Sequence, residues 1–278
     1  MPSSSPPPRP IVLAHLTDMH LFARSGDTLL GVDTEASFQG VLQHLIDAGD
    51  TPDLVLATGD LSQDGRPESY TRFLDMVTPL GAPVHVLPGN HDVRAPFHAM
   101  LAAHAVPVID QGPWRIILLD STLPDDESGW LAPEQLELLR TAGQVEDGRH
   151  VLVAMHHNPV PMHSAWLDPM RIGNADALFT VLDTLPRVRA LLWGHVHQAG
   201  DSLHDLDPPP GRLPLRMLST PSTCFQFTPR SVRFSIDPVA PGYRWITLHP
   251  DGRLDTHVVR VTTLAPGPDH PSHDSTGY

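Results

Sequence analysis

Short apolar runs alternate with amphipathic stretches along most of the chain. Residues 11–16, 53–58, 83–87, 114–119, 150–155 and 190–193 are brief, apolar and bounded by Gly, Pro or Asp, and they read as buried strands. Between them Phe38, Val41, Leu42, Leu45 and Ile46 recur at helical spacing. Pro67 and Pro133 stand where a first helical turn would begin, ahead of Tyr70, Phe73, Leu74 and Val77 and of Leu136 and Leu139. Asn174 is placed to cap a helix whose inner face is Ala177, Leu178, Val181 and Leu182. From residue 213 the pattern turns to strands alone, at 213–218, 232–236 and 243–248, then past the turn Asp251-Gly252 to 254–261. Alternating α/β segments followed by an antiparallel tail predict two sheets packed together with helices outside.

Composition narrows the class. In 278 residues, 18 basic groups, all arginine, face 32 acidic ones, for a net charge of −14. Such a field repels phosphate backbones and argues against nucleic-acid binding. The single Cys224 excludes an intrachain disulfide framework and an all-cysteine zinc site. Eighteen histidines raise the prospect of a metal site without locating one. The Pro- and Ser-rich start lacks a signal peptide, and no run reaches the roughly 20 apolar residues a bilayer span needs. A cytoplasmic protein without membrane contact is the expectation. Residues 1–10 and 263–278 read as disordered tails around one domain at 11–262.

Candidate chemistry gathers at the ends of the predicted strands. Asp18-Met19-His20 follows the first, Gly59-Asp60-Leu61-Ser62-Gln63-Asp64 the second, and Gly89-Asn90-His91-Asp92 the third. Later strands end at His156-His157-Asn158-Pro159 and Gly194-His195-Val196-His197. Ligands of α/β sheets collect outside the carboxyl ends of strands, so these clusters can converge on one crevice. Carboxylate, amide and imidazole donors suit Zn, Fe or Mn rather than a soft thiolate-bound metal. Carboxylates ending buried strands would be costly unpaired, and a dication pairs them. Side chains of His156 and His157 point opposite ways off a strand, so only one can enter the site.

The ordered set D-x-H, G-D-x-x-D, G-N-H-D, a strand-end His and G-H-x-H resembles the calcineurin-like metallophosphoesterase superfamily, with no ligand missing. Leu29-Leu30-Gly31-Val32, Ser164-Ala165-Trp166-Leu167-Asp168, Thr220-Pro221-Ser222-Thr223-Cys224, residues 237–242 and the closing Gly277-Tyr278 are similar to its bacterial branch of class III cyclic nucleotide phosphodiesterases. The resemblance implies a four-layer α/β/β/α sandwich of two mixed sheets flanked by helices. It implies two divalent transition metals, Fe or Mn first and Zn or Co after them. Asp18, His20, Asp60 and His197 would hold one, and Asp60, Asn90, His156 and His195 the other, with Asp60 bridging. By the same resemblance His156 rather than His157 would be the ligand, and His91 would be the catalytic acid on the leaving-group side. His20, Asp60, Asn90, His91 and His197 would also meet the substrate. The implied reaction is hydrolysis of 3′,5′-cyclic AMP to 5′-AMP by a metal-bridging hydroxide, with another small phosphodiester or phosphomonoester as the alternative. The blocks around Leu30, Trp166 and Thr223 would wall the nucleotide, and Asp64 and Asp92 would orient imidazoles, with simple loop capping as the equal alternative for Asp64. Phe225 and Phe227 read as core, with contact to a base as the other reading. His15 and other scattered histidines receive no role, and a homodimer stays open.

Overall fold

The computed structural model describes residues 9–49, 51–204 and 213–263. The two predicted tails therefore lie almost wholly outside the described residues. One mixed sheet has the strand order Leu254–Arg260, Gly242–Leu248, Ile11–Leu16, Leu54–Thr58, Val84–Leu87. A second runs Gly200–His204, Leu215–Ser219, Val188–Trp193, His150–Met155, Trp114–Leu118, Val108–Gln111. In the first sheet Ile11–Leu16, Leu54–Thr58 and Val84–Leu87 run parallel out to one edge, and two antiparallel strands complete the other side; in the second sheet the four inner strands are parallel and an antiparallel strand closes each edge.

Three cores define four layers. Leu13, Leu54, Leu56 and Ile246 of the first sheet interlock with Trp114, Ile116, Leu152 and Leu192 of the second. On its other face the first sheet buries Ala14, Val55, Ala57 and Val86 against α1 (Thr34–Asp47), α2 (Pro67–Val77) and α3 (Arg94–Leu101). The second sheet likewise buries Ile117, Val151, Val153 and Leu191 against α4 (Pro133–Gly143) and α5 (Ala175–Asp183). A strand such as Leu54–Thr58 thus sends alternate residues into two dry cores, which is why its sequence is apolar without alternation. Truncating Leu56 to Ala would cost about 2–5 kcal/mol.

Pro67 and Pro133 do open α2 and α4. Asn174 precedes α5, but its amide holds both the N–H and the C=O of Leu131 (3.0 and 2.8 Å) instead of capping. The predicted strand at 232–236 contracts to Ile236–Asp237 paired with Gln226–Phe227. The edge strands Val108–Gln111 and Gly200–His204 escape the pattern because, half exposed, they carry polar residues. No helix among the described residues is long and apolar enough to cross a membrane.

Candidate metal centre

Because the inner strands of both sheets run parallel, their carboxyl ends share one side of the sandwich, where all five motif loops meet. The turn out of each strand is sharp. Asp18, His20, Asp60, His195 and His197 all have left-handed backbone, with φ of 57°, 50°, 51°, 62° and 47°. Non-glycine residues seldom adopt this region, and such strain persists where surrounding structure over-determines it. The motif glycines allow the crowding. A Cβ on Gly89 would overlap the Asp60 carboxylate, and one on Gly194 would overlap Thr17 and Asp18.

Asp18, His20, Asp60, His156 and His197 are fully buried, and their donor atoms point at one another. His197 Nε2 lies 3.4 Å from Asp18 Oδ1 and 3.2 Å from His20 Nε2. Asp60 Oδ2 lies 3.8 Å from His20 Nε2 and 3.3 Å from His156 Nε2, so it faces both halves of the cluster. That oxygen is buried without a hydrogen-bond partner, as is His195 Nε2. His156 Nε2 is 3.0 Å from Asn90 Oδ1. His91 is partly exposed; its N–H donates to Asp60 Oδ1 (2.9 Å), and its ring stands edge-on to His20 with centroids 5.0 Å apart.

The outer nitrogens of three imidazoles are committed. Nδ1 of His20 meets Gln63 Oε1 (2.8 Å), Nδ1 of His156 meets the Thr58 carbonyl (2.8 Å), and Nδ1 of His197 meets the Phe225 carbonyl (2.8 Å). Each acceptor takes the Nδ1 proton and turns Nε2 inward. Lone pairs of His20 and His197 then face each other, and Nε2 of His156 faces an amide oxygen. Such a shell of acceptors asks for cations, and divalent metals fit the donor set.

Electrostatics agree. Burial alone would raise the Asp18 and Asp60 carboxyls, but His197 and His156, respectively, outweigh it and hold them below the ordinary value. Burial pushes His20 down to about 3. It also opposes charge on His156, yet Asp60 and Asp18 lift that imidazole to about 9. A proton on His156 is the charge the chain alone supplies where its carboxylates demand positive charge.

Other expectations are redistributed. Asp92 accepts from the backbone N–H groups of Gly89, Leu61 and Ser62 (2.9, 3.2 and 3.0 Å), lacing two motif loops together rather than orienting an imidazole. Burial and nearby Asp60 push its carboxyl up to about 7. Asp64 accepts from Ala23 N–H and the Ser62 hydroxyl. Loop amides reach these carboxylates first because both acids sit at the bases of the turns. Contrary to the expectation that His157 would point away from His156, their rings stand edge-on with centroids 5.0 Å apart, and ring nitrogens of His156, His157 and His195 lie within 4.8 Å of one another; the His157 nitrogens meet Ser121 Oγ (2.8 Å) and the Glu127 carbonyl (3.2 Å). Leu29, Leu30, Val32, Trp166, Cys224, Phe225 and Phe227 do come together, in one apolar cluster beside His20 and His197. Within it Thr223 is buried, and its N–H and hydroxyl both donate to the Thr17 carbonyl (3.1 and 3.5 Å); the Ser222 hydroxyl donates to the Asp18 carbonyl (2.8 Å). That segment braces the Asp18 turn. Gln63 is the residue missed, although it sits inside a motif.

Residues 11–199 match the calcineurin-like phosphoesterase family. The chain is 44% identical over 96% of its length, and 95% of the relative's, to a 3′,5′-cyclic adenosine monophosphate phosphodiesterase of Pseudomonas aeruginosa, CpdA. It is 40% identical to that of Escherichia coli K12, covering 92% of each chain. Among solved structures, a zebrafish (Danio rerio) dimetal phosphatase superposes with a TM-score of 0.57 at 16% identity, over 91% of this chain and 100% of that one. A purple acid phosphatase of yellow lupin gives 0.61 at 13% identity, over 95% of this chain and 57% of that one.

Proposed function

The chain belongs to the calcineurin-like phosphoesterase family, and we propose that it hydrolyses 3′,5′-cyclic AMP to 5′-AMP in the cytoplasm, at two iron or manganese ions. Asp18, His20, Asp60 and His197 would hold one ion, and Asp60, Asn90, His156 and His195 the other. The carrying observation is Asp60 Oδ2, buried, unpartnered and directed at histidines of both halves. Bound dications supply Lewis acidity and lower the pKa of water.

The side chains divide the remaining work. Asp60 spans the two halves while its Oδ1 fixes the backbone of His91. Gln63, Thr58 and Phe225 hold Nδ1 of the three rings, so the rings need not turn on loading, and His156 would give up its Nε2 proton to the solvent. His91, partly exposed at the rim, would give a proton to the departing O3′. One P–O3′ bond breaks, one P–O bond forms from water, and the proton delivered to O3′ leaves a neutral 3′-hydroxyl. Negative overall charge does not draw an anionic substrate in, so its recognition is local to this crevice.

The test is a panel of 3′,5′-cyclic AMP, 3′,5′-cyclic GMP, 2′,3′-cyclic nucleotides and aryl phosphodiesters, with metal analysis of the purified protein. Release of 5′-AMP with about two metals per chain is expected. Turnover of another phosphoester with cyclic AMP untouched would overturn the substrate and keep the metal centre.

A further inference from the structure

Beneath the metal centre runs a chain of buried polar groups that the proposed reaction does not use. Arg244, on the strand Gly242–Leu248 of the first sheet, is 2% exposed. Its guanidinium donates to the carbonyls of Ser219 (2.7 Å) and Gly200 (2.8 Å) in the second sheet, and to Thr256 Oγ1 (3.1 Å) and Thr220 Oγ1 (3.2 Å). Thr220 Oγ1 lies 2.6 Å from His15 Nδ1, and His15 Nε2 lies 2.6 Å from Thr58 Oγ1. Thr58 in turn presents its carbonyl to Nδ1 of His156 at 2.8 Å, and to the Thr17 hydroxyl at 3.2 Å.

An arginine only donates, so it sets the direction of the chain. With Arg244 donating into Thr220 Oγ1, the Thr220 hydroxyl proton goes to His15 Nδ1, and Nε2–H of His15 donates to Thr58 Oγ1. In this head-to-tail order each bond polarises the next. Burial, reinforced by Arg244, pushes His15 down to about 3, which keeps the ring neutral, as the order requires. The arrangement is expensive. It buries a guanidinium and an imidazole at strand ends where apolar residues would pack more cheaply. What the expense secures is a staple: Arg244 crosses from the first sheet to the second, and His156 crosses back to Thr58.

We infer that His15 and Arg244 are positioning residues that, through Thr58, fix the tautomer and orientation of His156 and so prepare one half of the metal centre. The inference rests on the two-metal reading above. It concerns binding rather than turnover, so metal binding alone can test it.

Mn²⁺ is titrated into metal-free protein by calorimetry, for the wild type, His15→Leu, His15→Gln and the near-isosteric Thr58→Val and Thr220→Val. Thermal unfolding is followed in parallel. His156→Ala marks which binding step belongs to His156. His15→Leu, Thr58→Val and Thr220→Val are expected to weaken that step about tenfold, the low end of the effect of removing a group that orients a ligand. The other step should stay within about twofold of wild type, a margin well inside tenfold or 1.4 kcal/mol. His15→Gln, which offers an acceptor and a donor, should recover most of the loss. If His15→Leu proves unfolded, the two valine variants carry the test, since each removes one hydroxyl and keeps the shape. A lower melting temperature with both steps unchanged would overturn the inference, leaving a brace for the fold. Equal weakening of both steps would overturn it as well. Fewer than two Mn²⁺ per wild-type chain would overturn the two-metal reading and this inference with it.

Discussion

The two halves of the metal centre are built from the same residue types and held in different ways. Around His20 and His197 the support is local and partly apolar. Phe227 stacks on His197 at 4.2 Å between centroids, Phe225 lies over His20, and the outer nitrogens meet Gln63 and the Phe225 carbonyl. Around His156 and His195 the support crosses between sheets and is polar, through Thr58 below and His157 beside. His195 Nε2 there is buried and unpartnered. The difference teaches that one half draws its rigidity from packing in a single apolar cluster, whereas the other depends on two sheets keeping their register. Asp60 is the group common to both.

Removing that common group gives the largest effect. Asp60→Ala should abolish both metal steps, with loss of turnover beyond the roughly 10–100-fold expected of groups that merely orient ligands. Full activity with under one metal per chain would break the comparison at its root, and elemental analysis beside a cyclic AMP assay reads both.

His91 should then separate proton delivery from metal holding. His91→Ala is expected to lower cyclic AMP hydrolysis by about 10²–10⁴-fold, because the 3′-alkoxide is a poor leaving group. A nitrophenyl phosphodiester, whose phenolate departs unprotonated, should keep much of its rate, and metal content should stay at two. Equal losses on both substrates would assign His91 to positioning.

Gln63 sharpens the comparison from the packed half. Gln63→Leu should weaken the metal step of His20 by about 10–100-fold and spare that of His156. Gln63→Glu, with a better acceptor behind Nδ1, should tighten it. Calorimetry with Mn²⁺ reads both, and unchanged constants would show that Phe225 packing alone suffices.

The last effect is on stability against pH, and near neutral pH it vanishes. His15 titrates near 3 in the folded chain against 6.5 ordinarily. Below pH 6.5 the unfolded chain takes up this proton and the folded chain does not. Stability contributed by neutral His15 is therefore complete above pH 6.5 and falls by about 1.4 kcal/mol per pH unit as pH drops toward 3. In urea unfolding of the metal-free protein, His15→Gln should give a slope shallower by one proton. An unchanged slope would mean that His15 is not held neutral.

The seven ligand candidates were legible because motif order and strand-end position are properties of the chain itself. Asn174 was legible as a helix boundary, but not as the partner of Leu131, 43 positions away. Residues 222 and 223 show the same limit: Ser222 and Thr223 stand out in the sequence, yet their hydroxyls turn to the carbonyls of Asp18 and Thr17, some 200 positions earlier. The edge strands Val108–Gln111 and Gly200–His204 were lost because these half-exposed segments carry no clean period.

By itself, then, the sequence determined which strands are buried, where each one ends, and which oxygen and nitrogen donors wait at those ends. Local alternation and motif spacing encode these directly, since they depend on neighbours within a few residues. Tertiary structure alone decided which nitrogen of His20, His156 and His197 faces inward, because the deciding partner is a carbonyl or amide brought from a distant segment of the chain. It alone decided that His15 and Arg244 lie buried under His156. A histidine or arginine in a strand reads the same whether solvent or a second sheet covers it, and only the packing of the two sheets makes that choice.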